Sequence, residues 1–236
     1  MKTDILEQLL TDRAAKRQVV VVTDMANGDG QLIYPAESDA TNELTIAARR
    51  VMVADKSGVV EFADGLMLFL HVHNPPLRML VVGAVHIAQP LSQMAVLAGY
   101  DVSIVDPRRE FASVDRFPGI NLIDAWPDDG VDQFAPNRRS AIVTLTHDPK
   151  LDDPALIKAL RSDAFYIGCL GSKRNHGKRL ERLAVEGFGE SDFTRIHGPV
   201  GLDIGAKSPA EIAVSIMGEI IEALRRPYWA EAKAAE

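Results

Sequence analysis

Cysteine is nearly absent: Cys169 is the single thiol in 236 residues. One thiol closes no internal disulfide and builds no cysteine-rich zinc or iron–sulfur site. A basic surplus is absent too. The net charge is −7, whereas a nucleic-acid binder carries a basic patch or stripe, and an acidic total also argues against an anionic membrane surface. No apolar run approaches the roughly 20 residues that a membrane span requires. The stretch Met1 to Arg17 is charged and lacks a secretory apolar segment, so a cytoplasmic location is expected. Internal repeats are missing, and low complexity is confined to a charged Ala/Glu/Lys tail. What remains is an ordinary globular composition, 47% hydrophobic and 25% charged, with room for one standard domain and a small one.

The pattern divides at Asn74-Pro75-Pro76. Before it, residues 3–16 read as an amphipathic helix with Ile5, Leu6, Leu9 and Leu10 on one side, followed by strands at 18–23 and 31–34, a helix at 43–54 and a buried strand at 66–72. The turn signal Asn27-Gly28-Asp29-Gly30 separates the first two strands. Residues 1–76 are expected to form a small α+β domain without a chemical motif. His71 and His73 share a strand face there, but two histidines alone are a weak metal signal, and no metal site is expected.

From Arg78 onward, strands alternate with helices: MLVVG, then HIAQPLSQMAVLAGY, then DVSIVD, and later SAIVTLT, DDPALIKALRS, AFYIGCLG and SKRNHGKRLERLAVEG. Such alternation implies a Rossmann-like α/β fold over 77–236, a parallel sheet with helices on both faces. Asp153-Pro154 and the capping box Ser208-Pro209-Ala210-Glu211 read as helix starts. The second opens a long final helix to about Arg225.

Gly83-Ala84-Val85-His86-Ile87-Ala88 lies between a strand and a helix, where a dinucleotide fingerprint reads G-x-G-x-x-G/A. Gly83 and Ala88 fit, but Val85 replaces the middle glycine. The same residues suit an ordinary tight βα turn. The fold expects an acid about 20 residues on, bonded to a ribose hydroxyl. Asp106 stands there, before Pro107, Arg108 and Arg109. Either arginine could instead meet a phosphate, so a bare and a phosphorylated ribose both stay open. Gly168-Cys169-Leu170-Gly171-Ser172-Lys173-Arg174 joins a strand to a helix, and free amides beside two cations make an anion site. Thr146-His147-Asp148 falls on the same strand-end edge, and His147 is a candidate acid/base or orienting donor. Cys169 is a candidate nucleophile or sulfur acceptor, although its apolar neighbours suit a buried, inert thiol. Gly201-Leu202-Asp203-Ile204-Gly205 is either a close-contact loop or a structural turn.

Read together, GAVHIAQPL, DVSIVDPRREFA with DRFPG, TLTHD, YIGCLGSKR and PVGLDIGAKSPAEIAVSI cover nearly all of residues 79–217, and the chain resembles the XdhC/CoxI family. That resemblance implies a maturation factor that holds the molybdenum cofactor, as molybdopterin or its cytosine dinucleotide, and assists its sulfuration and insertion. The implied partners are a molybdenum hydroxylase large subunit of the xanthine dehydrogenase or aerobic carbon monoxide dehydrogenase type, a sulfur-donor protein and a second copy of the chain. Two departures stand out. The family reads GAGH where this chain has GAVH, and its N-terminal GSVGGGC-like loop has no counterpart in residues 1–76. Alternatives are an FAD- or NAD(P)-binding redox protein in metal-site assembly, and a non-catalytic Rossmann scaffold.

Overall fold

The computed structural model describes residues 3–225, so the Ala/Glu/Lys tail lies outside the described residues. The chain divides into two compact units, one holding the residues up to Pro75 together with Arg225 and the other Pro76–Leu224.

The first unit is built from α1 (Thr3–Ala14), β1 (Val19–Asp24), β2 (Gly30–Ile33), α2 (Glu43–Ala54), β3 (Gly58–Glu61) and β4 (Met67–His73). Its strands form an antiparallel sheet in the order β2-β1-β4-β3. Successive side chains of a strand point to opposite faces, and β1 uses both. Val20 and Val22 pack with Ala48 and Met52 of α2, while Val19 and Val21 pack with Leu9 of α1. The inward side of α1 differs from the expected one. Leu6 and Leu10 are exposed, and Asp12 is buried in their stead. Tyr34 Oη donates to its Oδ2 at 2.7 Å and Arg17 Nη1 to its Oδ1 at 3.1 Å. A paired carboxylate can be buried where an unpaired one cannot, so hydrophobicity alone misplaced the face.

The second unit comprises β5 (Leu77–Val82), α3 (Ala88–Leu97), β6 (Tyr100–Val105), β7 (Asn121–Ile123), α4 (Pro127–Phe134), β8 (Ser140–Thr144), α5 (Pro149–Leu160), β9 (Tyr166–Cys169), α6 (Lys173–Val185), α7 (Glu190–Phe193), β10 (Ile196–His197) and α8 (Pro209–Arg225). Its six strands are parallel, in the order β10-β9-β8-β5-β6-β7. This is the Rossmann-like sheet expected from the alternation. Met79 and Val81 of β5 face a core with Leu91 of α3 and Ile216 of α8. Leu80 and Val82 face a second core with Leu156 of α5 and Leu183 of α6. Burial on both faces explains why β5 reads as a continuous apolar run.

The strand order reverses between β5 and β8, with β6 and β7 added on one side and β8 to β10 on the other, which makes the carboxyl ends of those two strands the switch point where ligands of such folds sit. The helix at 152–162 begins earlier than expected. Asp148 is its cap, accepting from the Lys150 amide at 2.9 Å, and Pro149 occupies the first turn. Pro154 therefore lies inside α5, and Asp152 is an inward-turned side chain rather than part of a cap region. The Ser208 box is present at α8: Ser208 N–H donates to Glu211 Oε2 at 2.8 Å, and Glu211 N–H to Ser208 Oγ at 3.3 Å. Short elements β3, β7, α4, α7 and β10 had no clear periodic signature in the sequence. Among the described residues no helix is long and apolar enough to cross a membrane.

Candidate functional site

Gly83 ends β5 with φ +105°, a backbone conformation that side-chain-bearing residues avoid. A Cβ there would also lie 2.5 Å from Thr146 Cγ2. The glycine is thus required by the close approach of the β5 and β8 loops. Val85 keeps an ordinary negative φ region and leans half-buried against the core beside α3, which is why a valine is tolerated in this turn.

The start of α3 follows directly. Its N-cap residue is Ile87, whose side chain makes no capping bond. Two amides of the turn are used internally: Gly83 N–H donates to Val105 O and Ala88 N–H to Val85 O. Ala84 N–H donates to Asp106 Oδ2 at 2.8 Å, and Pro90 has no amide hydrogen to give. The amides of Val85, His86, Ile87 and Gln89 have no partner among the described residues. Unclaimed amides at a helix start, where the macrodipole is positive, form an anion cradle. By contrast, α5 and α6 carry their own caps, Asp148 and Ser172.

Asp106 corrects one expectation. Its carboxylate is fully buried and accepts four bonds from its own chain: Ala84 N–H, Arg108 N–H at 2.9 Å, Arg108 Nε at 2.8 Å and Arg108 Nη2 at 2.7 Å. Burial alone would raise its pKa, but the bonds from Arg108 and Ala84 outweigh it and hold the carboxyl below its ordinary range. No acceptor is left over for a ribose hydroxyl. The group offered at the end of β6 is Arg108, half-exposed and stacked 4.6 Å over Phe111. Pro107 sets the turn between them, partly buried. Arg109 instead pairs with Asp124 at 2.6 Å on the surface. Arg116, within the DRFPG segment, has no role read from its sequence, yet its Nη1 donates to Ala84 O at 2.9 Å and so fastens the same turn.

Two more expectations are corrected at β9. Gly168 does not face a ligand, because the space a Cβ would take is filled by Val200 and Tyr166, at 2.6 and 2.8 Å. Cys169 has no exposed surface, and burial pushes its thiol up to about 12. A nucleophile must be a thiolate, so Cys169 is packing in this structure, not a catalytic group. Leu170 and Gly171, both half-buried, and the exposed Ser172, Lys173 and Arg174 form the turn into α6, with Ser172 Oγ accepting from Asn175 N–H at 3.2 Å.

Thr146 and His147 stand beside Gly83 at the end of β8. Both are tied to Asp152: Thr146 Oγ1 donates at 2.7 Å and His147 N–H at 3.1 Å. His147 adopts φ +62° and its side chain is exposed, so the loop aims the imidazole outward from a fixed base. It lines a cavity of about 210 Å³ between α5 and α6, together with Asp152, Leu170, Asn175, Lys178 and Arg179. Asp152 and Arg179 carry no sequence motif. For Asp152 the signal was the helical spacing that turns it inward, visible only once α5 starts at Pro149.

The loop 201–205 follows β10, which runs parallel to β9, and Val200 N–H donates to Cys169 O at 3.0 Å. Gly201 N–H donates to Glu219 Oε2 at 2.7 Å and Ser215 Oγ to Leu202 O at 2.7 Å, so the first two residues of the 201–205 loop are pinned to α8. The rings of His71 and His73 on β4 meet at a tilt, with centroids 4.1 Å apart. Among the described residues no three His, Cys, Asp or Glu side chains gather as a metal site would need.

Residues 79–220 match the family described as the XdhC Rossmann domain. A Bacillus subtilis protein named as a probable xanthine dehydrogenase subunit is 32% identical over 160 residues, covering 67% of this chain and 46% of that protein. The molybdenum cofactor insertion chaperone PaoD of Escherichia coli is 28% identical over 149 residues, covering 62% of this chain and 40% of PaoD. The uncharacterized protein YqeB of Escherichia coli is 31% identical over 157 residues, 66% of this chain and 29% of YqeB. The chain therefore spans less than half the length of the curated relatives it matches. A crystal structure described as a xanthine dehydrogenase from Bacillus halodurans shares the fold with a TM-score of 0.63 at 23% identity, over 94% of this chain and 64% of that one. With the family's Rossmann domain matched across most of its length, the chain belongs to the XdhC family.

Proposed function

We propose that this chain is a maturation factor for a molybdenum hydroxylase, holding the molybdenum cofactor at the carboxyl edge of β5 and β8 and passing it to the large subunit of the client enzyme. The observation that carries this reading is the uncapped start of α3 at the switch point, in a member of a family that includes a named cofactor insertion chaperone. The phosphates of the pterin, or of its cytosine dinucleotide form, meet the amides of Val85, His86 and Ile87 and the turn Leu170-Gly171-Ser172-Lys173-Arg174. Gly83 and Ala84 shape the cradle, and Asp106 positions Arg108 toward the ligand. Thr146 and His147 border the bound group. The cofactor brings its own redox-active metal; the chain binds, orients and shields it.

In this reading residues 77–236 form the ligand-binding domain and 1–76 a separate small domain, and two copies act together in the cytoplasm. Because Cys169 is buried, sulfur for the cofactor comes from a separate donor protein. A second reading is supported by Arg108 at the end of β6, where an arginine accommodates the extra phosphate of NADP: an NAD(P)- or FAD-binding redox protein serving metal-site assembly. Mass spectrometry of the small molecule released by heating the freshly purified protein separates the two. A molybdopterin species is expected, and a stoichiometric flavin or nicotinamide nucleotide overturns the carrier role in favour of the second reading.

A further inference from the structure

Arg179 lies seven residues into α6 and is only 5% exposed. Its Nη2 donates to Leu170 O at 3.0 Å and stands 3.7 Å from Asp152 Oδ2. Its Nε and Nη1 are buried without a hydrogen-bond partner among the described residues. A buried guanidinium with unanswered donors is costly, and native proteins keep one where an acceptor arrives from outside. Asp152 answers it incompletely. That carboxylate already accepts from Thr146 and His147, and burial pushes its pKa up, which weakens its hold on a cation.

The surroundings favour an anion. Arg179 lines the cavity of about 210 Å³ between α5 and α6. The acid Asp153 on its wall is satisfied by Arg182, which grips it through Nε and through Nη2 at 3.0 Å. Lys178 on the rim is exposed. The capped start of α6, with Asn175 on the wall, adds the positive end of a helix dipole.

We propose that this cavity is a phosphate subsite, with Arg179 as its buried anchor and Lys178 as its rim cation. The subsite deepens the reading above and rests on it only for the identity of the larger ligand that carries the phosphate. Arg179 supplies fixed N–H donors, Lys178 supplies a mobile charge at the mouth, and the Asp152 bonds hold the His147 loop against one wall. The phosphate is either the terminal group of a nucleotide or pterin, or a free ion.

The test is a phosphorus NMR titration of inorganic phosphate into the full chain, with cytidine monophosphate and cytidine as competitors. Wild type is expected to bind phosphate saturably. Arg179→Gln should weaken it by about tenfold or more, the loss of one charge-assisted hydrogen bond, and Lys178→Glu by a few-fold. Arg179→Lys should fall between wild type and Arg179→Gln. Displacement by the monophosphate but not by cytidine would assign the subsite to a ligand-borne phosphate, and no displacement by either would assign it to the free ion. Should Arg179→Gln lose its fold by circular dichroism, the exposed Lys178→Glu decides. Absence of saturable binding, or wild-type affinity in the folded variants, overturns the subsite. Nucleotide binding that persists in that case leaves the carrier reading standing. Arg179-dependent phosphate binding without any nucleotide or pterin binding keeps the subsite and removes the carrier reading.

Discussion

At the end of β6 the Asp106 carboxylate is saturated by its own chain, whereas beside the end of β9 the Arg179 guanidinium keeps two buried N–H groups unanswered. Both lie near the carboxyl edge of one sheet, and both are buried. The first is finished architecture: Asp106 fastens the β5 turn to the β6 end, and Arg116 fastens it again from the far side. The second is an incomplete polar group, which folding alone leaves unfavourable. A buried charge points to a ligand only when the partners within its own chain leave its hydrogen-bonding groups unanswered. Asp106 is explained and Arg179 is not.

The largest expected effect tests how closed the floor of the β9 end is. With its thiol pushed up to about 12 and no exposed surface, Cys169 should react with iodoacetamide at neutral pH about a thousandfold more slowly than a free thiol, because only the thiolate attacks. Alkylation at the rate of the urea-unfolded protein would break the comparison, showing the edge open where it is described as sealed. Next comes Gly83→Ala. Its φ of +105° and the 2.5 Å approach to Thr146 predict a loss of roughly 2–4 kcal/mol in urea denaturation. An unperturbed midpoint would mean that the β5 and β8 loops do not meet.

The two acids of the edge should respond oppositely to pH. The folded pKa of Asp106 is lowered from its ordinary 3.8. Its stabilisation is fully present above 3.8 and is lost as pH falls through the lower folded value. Asp106→Asn should therefore cost about 2–3 kcal/mol at neutral pH, a cost that shrinks only in acid below 3.8. The folded pKa of Asp152 is raised above 3.8 by burial. Its ionisation penalty is fully present above that raised value and fades as pH falls from it toward 3.8. The difference in stability between Asp152→Asn and wild type should accordingly change above 3.8, in the range where that for Asp106→Asn stays flat. Parallel curves would erase the distinction. The smallest effect is expected for the exposed His147. At φ +62°, asparagine tolerates the backbone well, so His147→Asn should move stability by less than about 0.5 kcal/mol. A larger loss would make the imidazole structural.

The parallel sheet and the site edge were legible because β5 and its neighbours are buried on both faces and because Gly83 must turn where β5 ends. The Ser208 box was legible for a local reason, two bonds within four residues. What misled was a partner or a neighbour that the linear pattern does not display. Asp12 is buried through Tyr34 and Arg17. Asp106 is taken by Arg108 rather than left for a ribose. Asp153-Pro154 looked like a helix start although Asp148-Pro149, with the earlier cap bond, begins α5. Gly168 suggested ligand approach, but its missing side chain makes room for Tyr166 and Val200. Arg179 carries no motif, and its meaning depends on a count of hydrogen-bond partners that only three dimensions supply.

The central claim is that the β5–β8 edge holds a molybdenum cofactor for transfer. The direct measurement is co-elution of freshly extracted cofactor with the purified chain on gel filtration, read by pterin fluorescence after oxidation and compared between wild type and Arg108→Glu. The account predicts near-stoichiometric retention by wild type and a loss of at least about tenfold in the charge-reversed variant, in which an anion meets an acid. Elution of the cofactor apart from the wild-type protein, or equal retention by a folded Arg108→Glu, would contradict it.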